Sequence, residues 1–454
     1  MGGASEPAPE RTGAGGAGAD WSGRRLHFVG IGGAGMSGLA LIADALGASV
    51  TGSDRAESSY LAGLRAAGIE PAIGHAASNV PAGAEVVYST AIGPDNPERS
   101  AAERELHRSE LLAELASLKR CIAVTGTHGK TTTTGMIVHV LRGCGFEPAY
   151  AVGGELNSTG RNAEWGAGDW IVIEADESDR SLLRLHPEIA VLTSAELDHH
   201  STYGSRLELA DTFREFMGRA RIDIAWDRPD VVALCGAPEV VRYDAVDPVL
   251  AAEGARFAWR GLDVALAVPG LHNAVNAAGA LEACAAAGAE PVRAAAAIAG
   301  FQGARRRLER LGLTRAGALV LDDYAHHPTE VAAALAAART LGPRRLVAAF
   351  QPHLYSRTRA LAREFGGALA GADVAVVLDI YPARERAEDF PGVSGRSIAT
   401  AAADAAGGRT VAWMPTFEQA RAFLESILRE GDVCLVIGAG NIDALGRALV
   451  APHH

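Results

Sequence analysis

Residues 121–134 read CIAVTGTHGKTTTT. The first five form a short apolar strand, and the threonine run leads into GMIVHVL, which has the apolar content of a buried helix. A strand that enters a glycine turn carrying Lys and Thr, and then a helix, has the layout of a phosphate loop. Backbone N–H groups around Gly129 cradle phosphate oxygens, Lys130 reaches the terminal phosphates, and the Thr131 hydroxyl meets Mg²⁺. Gly126, Thr127, His128 and Thr132 complete the candidate phosphate-binding set. The spacing departs from the standard pattern: the preceding glycine lies three residues before Gly129 rather than five, and Val124 holds the expected position. Lysine scarcity sharpens the reading. Of 42 basic residues only Lys119 and Lys130 are lysines, and one of them falls in this loop.

Toward the N-terminus, LHFVGIGGAGMSG (26–38) repeats the strand–glycine–helix layout, and Asp54 follows 19 residues after Gly35. Gly32, Gly33 and Gly35 with Asp54 fit a nucleotide-diphosphate fingerprint, in which the helix N-terminus takes the phosphates and the acid meets a ribose hydroxyl. Glycines needed only for helix–strand packing are the alternative. Toward the C-terminus, WIVIEADESD (170–179) ends a strand in four carboxylates, which repel one another unless a cation intervenes. Glu174 is therefore a candidate Mg²⁺ ligand; a solvated acidic loop is the alternative, and the preferred one for Asp179. The next strand end, TSAELDHH (193–200), offers His199 as a metal ligand or as a structural histidine. In LHNAVN (271–276), Asn273 and Asn276 stand three apart on one helical face and can both reach a planar ligand, unless Asn273 only caps the helix. The last third carries LDDYAHHPTE (321–330), FQPHLYSRTR (350–359) and DIYPARE (379–385), each after an apolar strand. Arginines there suit carboxylate or phosphate charge, Arg357 more than Arg359 or Arg384.

These strands alternate with Ala-rich helical stretches, the signature of parallel α/β architecture. Strands are expected near 26–29, 48–51, 85–88, 121–125, 170–174, 189–193, 319–321, 346–350, 374–378 and 433–437, with one charged helix from Glu98 to Leu118. The chain has 454 residues, enough for two to four domains at about 100–200 residues each. Its net charge of −12 argues against nucleic acid as the main partner. No apolar run of about 18 residues is present, so no membrane insertion is expected. Five cysteines without a CxxC pair fit a reducing compartment and a cytoplasmic location. Residues 1–20 (MGGASEPAPERTGAGGAGAD) lack large apolar side chains and the basic start of a signal peptide; a disordered tail is expected there. Nothing in the sequence specifies an oligomeric state.

Taken in chain order, GIGGAGMSGLA (30–40), STAI (89–92), GTHGKTTTT (126–134), EADESD (174–179), ELDHHSTY (196–203), HNAVNA (272–277), FQGARRRLE (301–309), DDYAHHPTEV (322–331) and FQPHLYSRT (350–358) resemble the Mur ligases of peptidoglycan synthesis, over about residues 24–445. The resemblance implies three α/β domains: a Rossmann-like UDP-sugar domain (21–117), a central P-loop-type ATPase domain (118–311) and a Rossmann-like C-terminal domain for the amino acid (312–454). It implies ATP and Mg²⁺ as cofactors, UDP-N-acetylmuramate and L-alanine as substrates, and ADP-forming amide synthesis through an acyl phosphate. Lys130 would contact ATP phosphates; Thr131, Glu174 and His199 would serve Mg²⁺. Asn273 and Asn276 would lie at the adenine. Asp323, His327, His353 and Arg357 would sit where the C-terminal domain closes, with Asp323 on the ATP side and His327 a candidate acceptor of the amine proton. Ser89 and Thr90, with the first glycine turn, would hold the UDP-sugar. Two departures stand out: Ser194 replaces a usual asparagine and Asn441 a usual aspartate. A carbamylated lysine, used by several relatives, is impossible because no lysine follows position 130. The start GIGGAGMSG favours the alanine-adding branch over the murein-peptide recycling branch. A nicotinamide-dependent dehydrogenase built on the first glycine turn would leave Lys130, Glu174 and His199 unexplained. A non-catalytic nucleotide sensor is the remaining rival, separable by substrate-dependent phosphate release.

Overall fold

A computed structural model describes residues 21–198 and 202–450. The expected tail 1–20 and His199 lie outside the described residues.

The first sheet holds β1 (Arg25–Val29), β2 (Ser49–Asp54), β3 (Ala72–Ile73), β4 (Glu85–Tyr88) and β5 (Arg104–His107), all parallel, in the order β3-β2-β1-β4-β5. The second holds β6 (Arg120–Thr125), β7 (Ala149–Leu156), β8 (Arg161–Glu164), β9 (Trp170–Glu174), β10 (Ile189–Leu192), β11 (Ile222–Trp226) and β12 (Glu239–Tyr243). Their order is β12-β11-β10-β6-β9-β7-β8, parallel except for the β7–β8 hairpin. An antiparallel meander follows: β13 (Val246–Ala251), β14 (Gly254–Trp259) and β15 (Leu262–Leu266). The fourth sheet holds β16 (Glu309–Leu313), β17 (Leu319–Asp323), β18 (Arg345–Phe350), β19 (Val374–Val377), β20 (Thr410–Trp413) and β21 (Asp432–Ile437), in the order β16-β17-β21-β18-β19-β20.

The physics of the central strands is simple. Cys121 to Thr125 of β6 are all buried, because helices cover both faces of a parallel sheet and no side chain can reach water. The same holds for the whole of β10 and β21. The helix Lys130–Gly143 packs closely against the helix Leu271–Ala286, whose alanine-rich buried face includes Ala274, Ala277 and Ala278. Register then sets the site. Val124 pairs with Glu174 on one side of β6, and Thr125 with Leu192 on the other. The carboxyl ends of β9 and β10 therefore flank the turn after β6, which is where parallel sheets hold ligands.

Two expectations need correction. The charged stretch Glu98 to Leu118 is not one helix: it forms a short turn of helix Pro97–Ser100, the edge strand β5 and the helix Arg108–Ser117. Glu98 causes the break. Its carboxylate is fully buried and accepts hydrogen bonds from Ser53 Oγ, the Ala76 N–H and Asn79 Nδ2, so it turns inward instead of riding a solvated helix face. The dividing line expected between 311 and 312 runs through β16, which pairs with β17 in the fourth sheet.

Phe350, at the end of central strand β18, is fully buried with its ring 5.1 Å from that of Phe365. Phe350→Ala should cost about 3–5 kcal/mol of stability through the cavity it opens. Urea unfolding followed by tryptophan fluorescence and circular dichroism checks it; a loss under 1 kcal/mol, on the order of a surface substitution, would contradict this packing.

Candidate active site

The turn after β6 works only with glycine at two places. Gly126 has φ +128°, and a Cβ there would strike the Thr193 hydroxyl and the Ser194 backbone. Gly129 has φ +82°, in the left-handed region, and a Cβ would come 2.6 Å from Asn276 Oδ1. The loop is thus pressed between the end of β10 and the helix Leu271–Ala286. Hydrogen bonds pin it there. The His128 N–H donates to Ser194 Oγ (2.8 Å), the Thr127 N–H to the Ser194 carbonyl (3.2 Å), and Thr127 Oγ1 to the Glu196 carbonyl (2.6 Å). Ser194, the departure from the family pattern, is itself a loop anchor.

Lys130 opens the helix, and its Nζ donates to the Gly126 carbonyl (2.7 Å) and Glu177 (2.9 Å). Burial works against its charge, but Glu177, Asp176 and Glu174 outweigh that and hold the ammonium protonated. Thr131 Oγ1 donates to Glu174 Oε1 (3.0 Å), and the Gly153 N–H to Glu174 Oε2 (2.7 Å). Burial raises the Glu174 pKa, with the Lys130 charge opposing. A hydroxyl in the first turn of the loop helix and a carboxylate at the end of the adjacent strand β9 are the hard oxygen donors Mg²⁺ takes. The residues fit that ion and a triphosphate together.

A cavity of about 940 Å³ opens here, and its walls come from the first, second and fourth sheets. Gly32, Gly33 and Gly35 line one wall, with the Arg108 guanidinium over Gly35. Asp54 is turned onto this glycine loop, where its Oδ2 accepts the Gly32 N–H at 2.8 Å. Lys130, Thr131 and Glu174 line the floor; Arg307 and Asn441 line the side from the C-terminal part. Arg307 reaches the Thr131 hydroxyl (3.4 Å). Arg306 is fixed by Asp322 (3.1 Å) and by the carbonyls of Gly438 and Gly440. Asn441 Oδ1 accepts from Gln351 Nε2 (3.2 Å).

The other candidate residues fall around this cavity in different ways. Asn276 packs against Gly129, whereas the Asn273 amide donates to the Pro269 carbonyl (2.7 Å), a local bond. Thr132 is buried in the first turn of the loop helix. Asp323 accepts the N–H groups of Leu308 (2.9 Å) and Ala325 (2.8 Å), and burial pushes its pKa up to about 6. Ser89 and Thr90 follow β4 at the same sheet edge but do not line the cavity. Arg357 does not line it either. It makes a bidentate pair with Asp198, Nε donating to Oδ1 (3.0 Å) and Nη2 to Oδ2 (3.1 Å), each side chain only 3% exposed, and so ties the fourth sheet to the segment after β10. His353 Nδ1 lies 3.2 Å from that guanidinium, and burial lowers its pKa to about 3. His327 caps the helix Pro328–Arg339, its Nδ1 accepting the Thr329 N–H at 3.4 Å; burial lowers its pKa to about 4, which makes it a weak base at neutral pH.

Four partners carry no role in the sequence motifs. Glu177 holds Lys130, Arg307 meets Thr131, and Glu330 lies 3.3 Å from His128 Nδ1 while Glu196 lies 3.4 Å from its Nε2. Burial disfavours the imidazolium, yet these two carboxylates prevail and raise the His128 pKa to about 9. Only Glu177 and Glu196 carry a sequence signal, their place just beyond the ends of β9 and β10.

The chain matches three family models: the catalytic domain of the Mur ligase family over residues 25–120, the Mur ligase middle domain over 124–284 and the Mur ligase glutamate ligase domain over 306–440. A UDP-N-acetylmuramate–L-alanine ligase of Renibacterium salmoninarum is 44% identical over an alignment of 453 positions that covers 94% of this chain and 95% of the relative. The crystal structure of a UDP-N-acetylmuramate–alanine ligase from Thermotoga maritima superposes with a TM-score of 0.80 at 27% identity, covering 94% of this chain and 98% of that one. A murein peptide ligase from Psychrobacter arcticus shares the fold, with a TM-score of 0.69 at 23% identity and coverage of 94% and 98%.

His128 binds its proton more tightly in the folded chain, with a pKa of about 9, than at its ordinary value of 6.5. Its contribution to stability is therefore complete below pH 6.5 and lost as pH rises through about 9. Melting temperature across that window should fall more steeply for the wild type than for His128→Gln. Equal slopes would contradict the assigned charge.

Proposed function

The chain belongs to the Mur ligase family, and on that premise we propose that it joins L-alanine to the lactyl carboxylate of UDP-N-acetylmuramate, with ATP cleaved to ADP and phosphate, in peptidoglycan precursor synthesis. One observation carries the reading: the sugar-side glycine turn, the phosphate loop and the arginines of the fourth sheet face a single cavity.

The chemistry follows from charge. A carboxylate is a poor electrophile, so its oxygen first attacks the γ-phosphorus and ADP leaves, giving an acyl phosphate. The alanine amine then attacks the acyl carbon, and the tetrahedral intermediate expels phosphate. Two anions must meet in the first step, which makes neutralisation and alignment the main tasks. Lys130 and the loop N–H groups hold the triphosphate, and Arg307 adds positive charge from across the cavity. Thr131 and Glu174, with His199 added by family resemblance, would hold Mg²⁺, which would neutralise phosphate oxygens and polarise phosphorus. Gly32, Gly33 and Gly35 take the UDP diphosphate at their helix N-terminus, with Asp54 bracing the turn. The Asp198–Arg357 and His128–Glu330 contacts hold the C-terminal part over the site and keep water from the acyl phosphate. His327 serves that closure by capping its helix, since a neutral imidazole of such low basicity is unsuited to taking the amine proton. We place the protein in the cytoplasm: its five cysteines are free thiols, as a reducing compartment keeps them. Among the described residues no helix is long and apolar enough to cross a membrane.

Phosphate release should require ATP, Mg²⁺, UDP-N-acetylmuramate and L-alanine together, with glycine and L-serine as comparison amines. Lys130→Ala should abolish ADP formation while leaving the circular dichroism spectrum unchanged. Turnover retained in that variant, or phosphate release indifferent to both acceptors, would overturn the proposal.

A further inference from the structure

A second group of metal-competent side chains stands apart from the Thr131–Glu174 oxygens. His128 of the phosphate loop, Glu196 beyond β10 and His327 beyond β17 present ligand atoms that all lie within 4.8 Å of one another. His128 Nε2 is 3.4 Å and His327 Nδ1 3.8 Å from the same oxygen, Glu196 Oε2. Ligands bound at about 2.0–2.1 Å to a tetrahedral zinc lie about 3.3–3.4 Å apart, so each imidazole nitrogen is already within a few tenths of an ångström of the spacing it needs from Glu196 Oε2, and the two nitrogens close on each other from within 4.8 Å.

The outer contacts of His128 and Glu196 match as well, while His327 Nδ1 would exchange its long contact with the Thr329 N–H (3.4 Å) for the ion. A metal-bound imidazole commonly gives its other ring N–H to a carboxylate, and a metal-bound carboxylate is commonly hydrogen-bonded in turn. His128 has its second nitrogen, Nδ1, 3.3 Å from Glu330 Oε1, and that nitrogen is buried without a closer partner. Glu196 Oε2 accepts the Thr329 hydroxyl at 2.6 Å. Two imidazoles and one carboxylate with an open fourth position suit zinc and its neighbours, whereas Mg²⁺ prefers oxygen donors. We propose that His128, Glu196 and His327 form a binding site for a divalent borderline transition ion of the zinc class, distinct from the Mg²⁺ site and joining the second sheet to the fourth.

The test is direct binding, which needs no turnover and so stands apart from the ligase assay. Zn²⁺ is titrated into the full chain against a chromophoric chelator with Mg²⁺ in excess, in a His453→Ala/His454→Ala background that removes the terminal histidine pair. A single equivalent should bind, and Glu196→Gln and His327→Ala should each weaken it by about 100-fold or more, since losing even an outer partner costs up to that much. Glu196→Gln keeps size and folding, confirmed by circular dichroism. Co²⁺ in place of Zn²⁺ should give the intense visible absorption of a four-coordinate ion in the background chain and not in the variants. Uptake unchanged by both substitutions, no uptake at all, or a weak six-coordinate Co²⁺ spectrum would overturn the proposal.

Discussion

A buried ammonium organises this molecule. Lys130 sits in the low-dielectric throat behind the phosphate loop, where an unpaired cation would be prohibitively costly. Glu177 pairs with it, Asp176 and Glu174 add field, and the Gly126 carbonyl accepts a hydrogen bond from it. This arrangement demands acidic residues at the end of β9, a glycine loop with no room for side chains, and a neighbouring strand end that clamps the loop. The second sheet supplies all three by placing β6 between β9 and β10. The cluster also leaves acids near the place where a triphosphate must go, so Mg²⁺ and arginine from outside the sheet are needed to reverse the local sign.

That requirement explains the division of labour. Neither the second sheet nor the fourth is complete alone: the loop, Thr131 and Glu174 belong to one, Arg307 and Glu330 to the other. Polar contacts join them, among them Asp198 with Arg357, His128 with Glu330, Thr329 with Glu196 and Arg307 with Thr131. Polar contacts of this kind can be exchanged for contacts with water, so a closed form that they hold can open. Water exclusion and substrate exchange can then alternate.

Much of the fold was readable because central parallel strands are continuous apolar runs. β1, β4, β6, β9, β10, β18 and β21 lie where the sequence suggests, within a residue or two. The short or edge elements were not readable: β3 has two residues, β13 is exposed along its length, and β5 hides within a charged stretch. The inward turn there depends on Glu98 meeting Ser53 and Asn79, which no local pattern announces. The site divides in the same way. Loop, lysine, threonine and Glu174 are contiguous motifs at strand ends. Arg307, by contrast, meets a threonine 176 positions away, and that contact exists only once two sheets come together. Arg357 was legible as an important cation but not as the partner of Asp198, and Asn273 resembled its neighbour Asn276 until its amide was seen to bond the Pro269 carbonyl.

The core of the account is that substrate carboxylate oxygen is carried onto phosphorus inside this cavity. UDP-N-acetylmuramate labelled with ¹⁸O in its lactyl carboxylate, turned over with ATP and L-alanine, tests that by mass spectrometry of the phosphate released. Label in the phosphate is the predicted result; unlabelled phosphate accompanying amide product would contradict it.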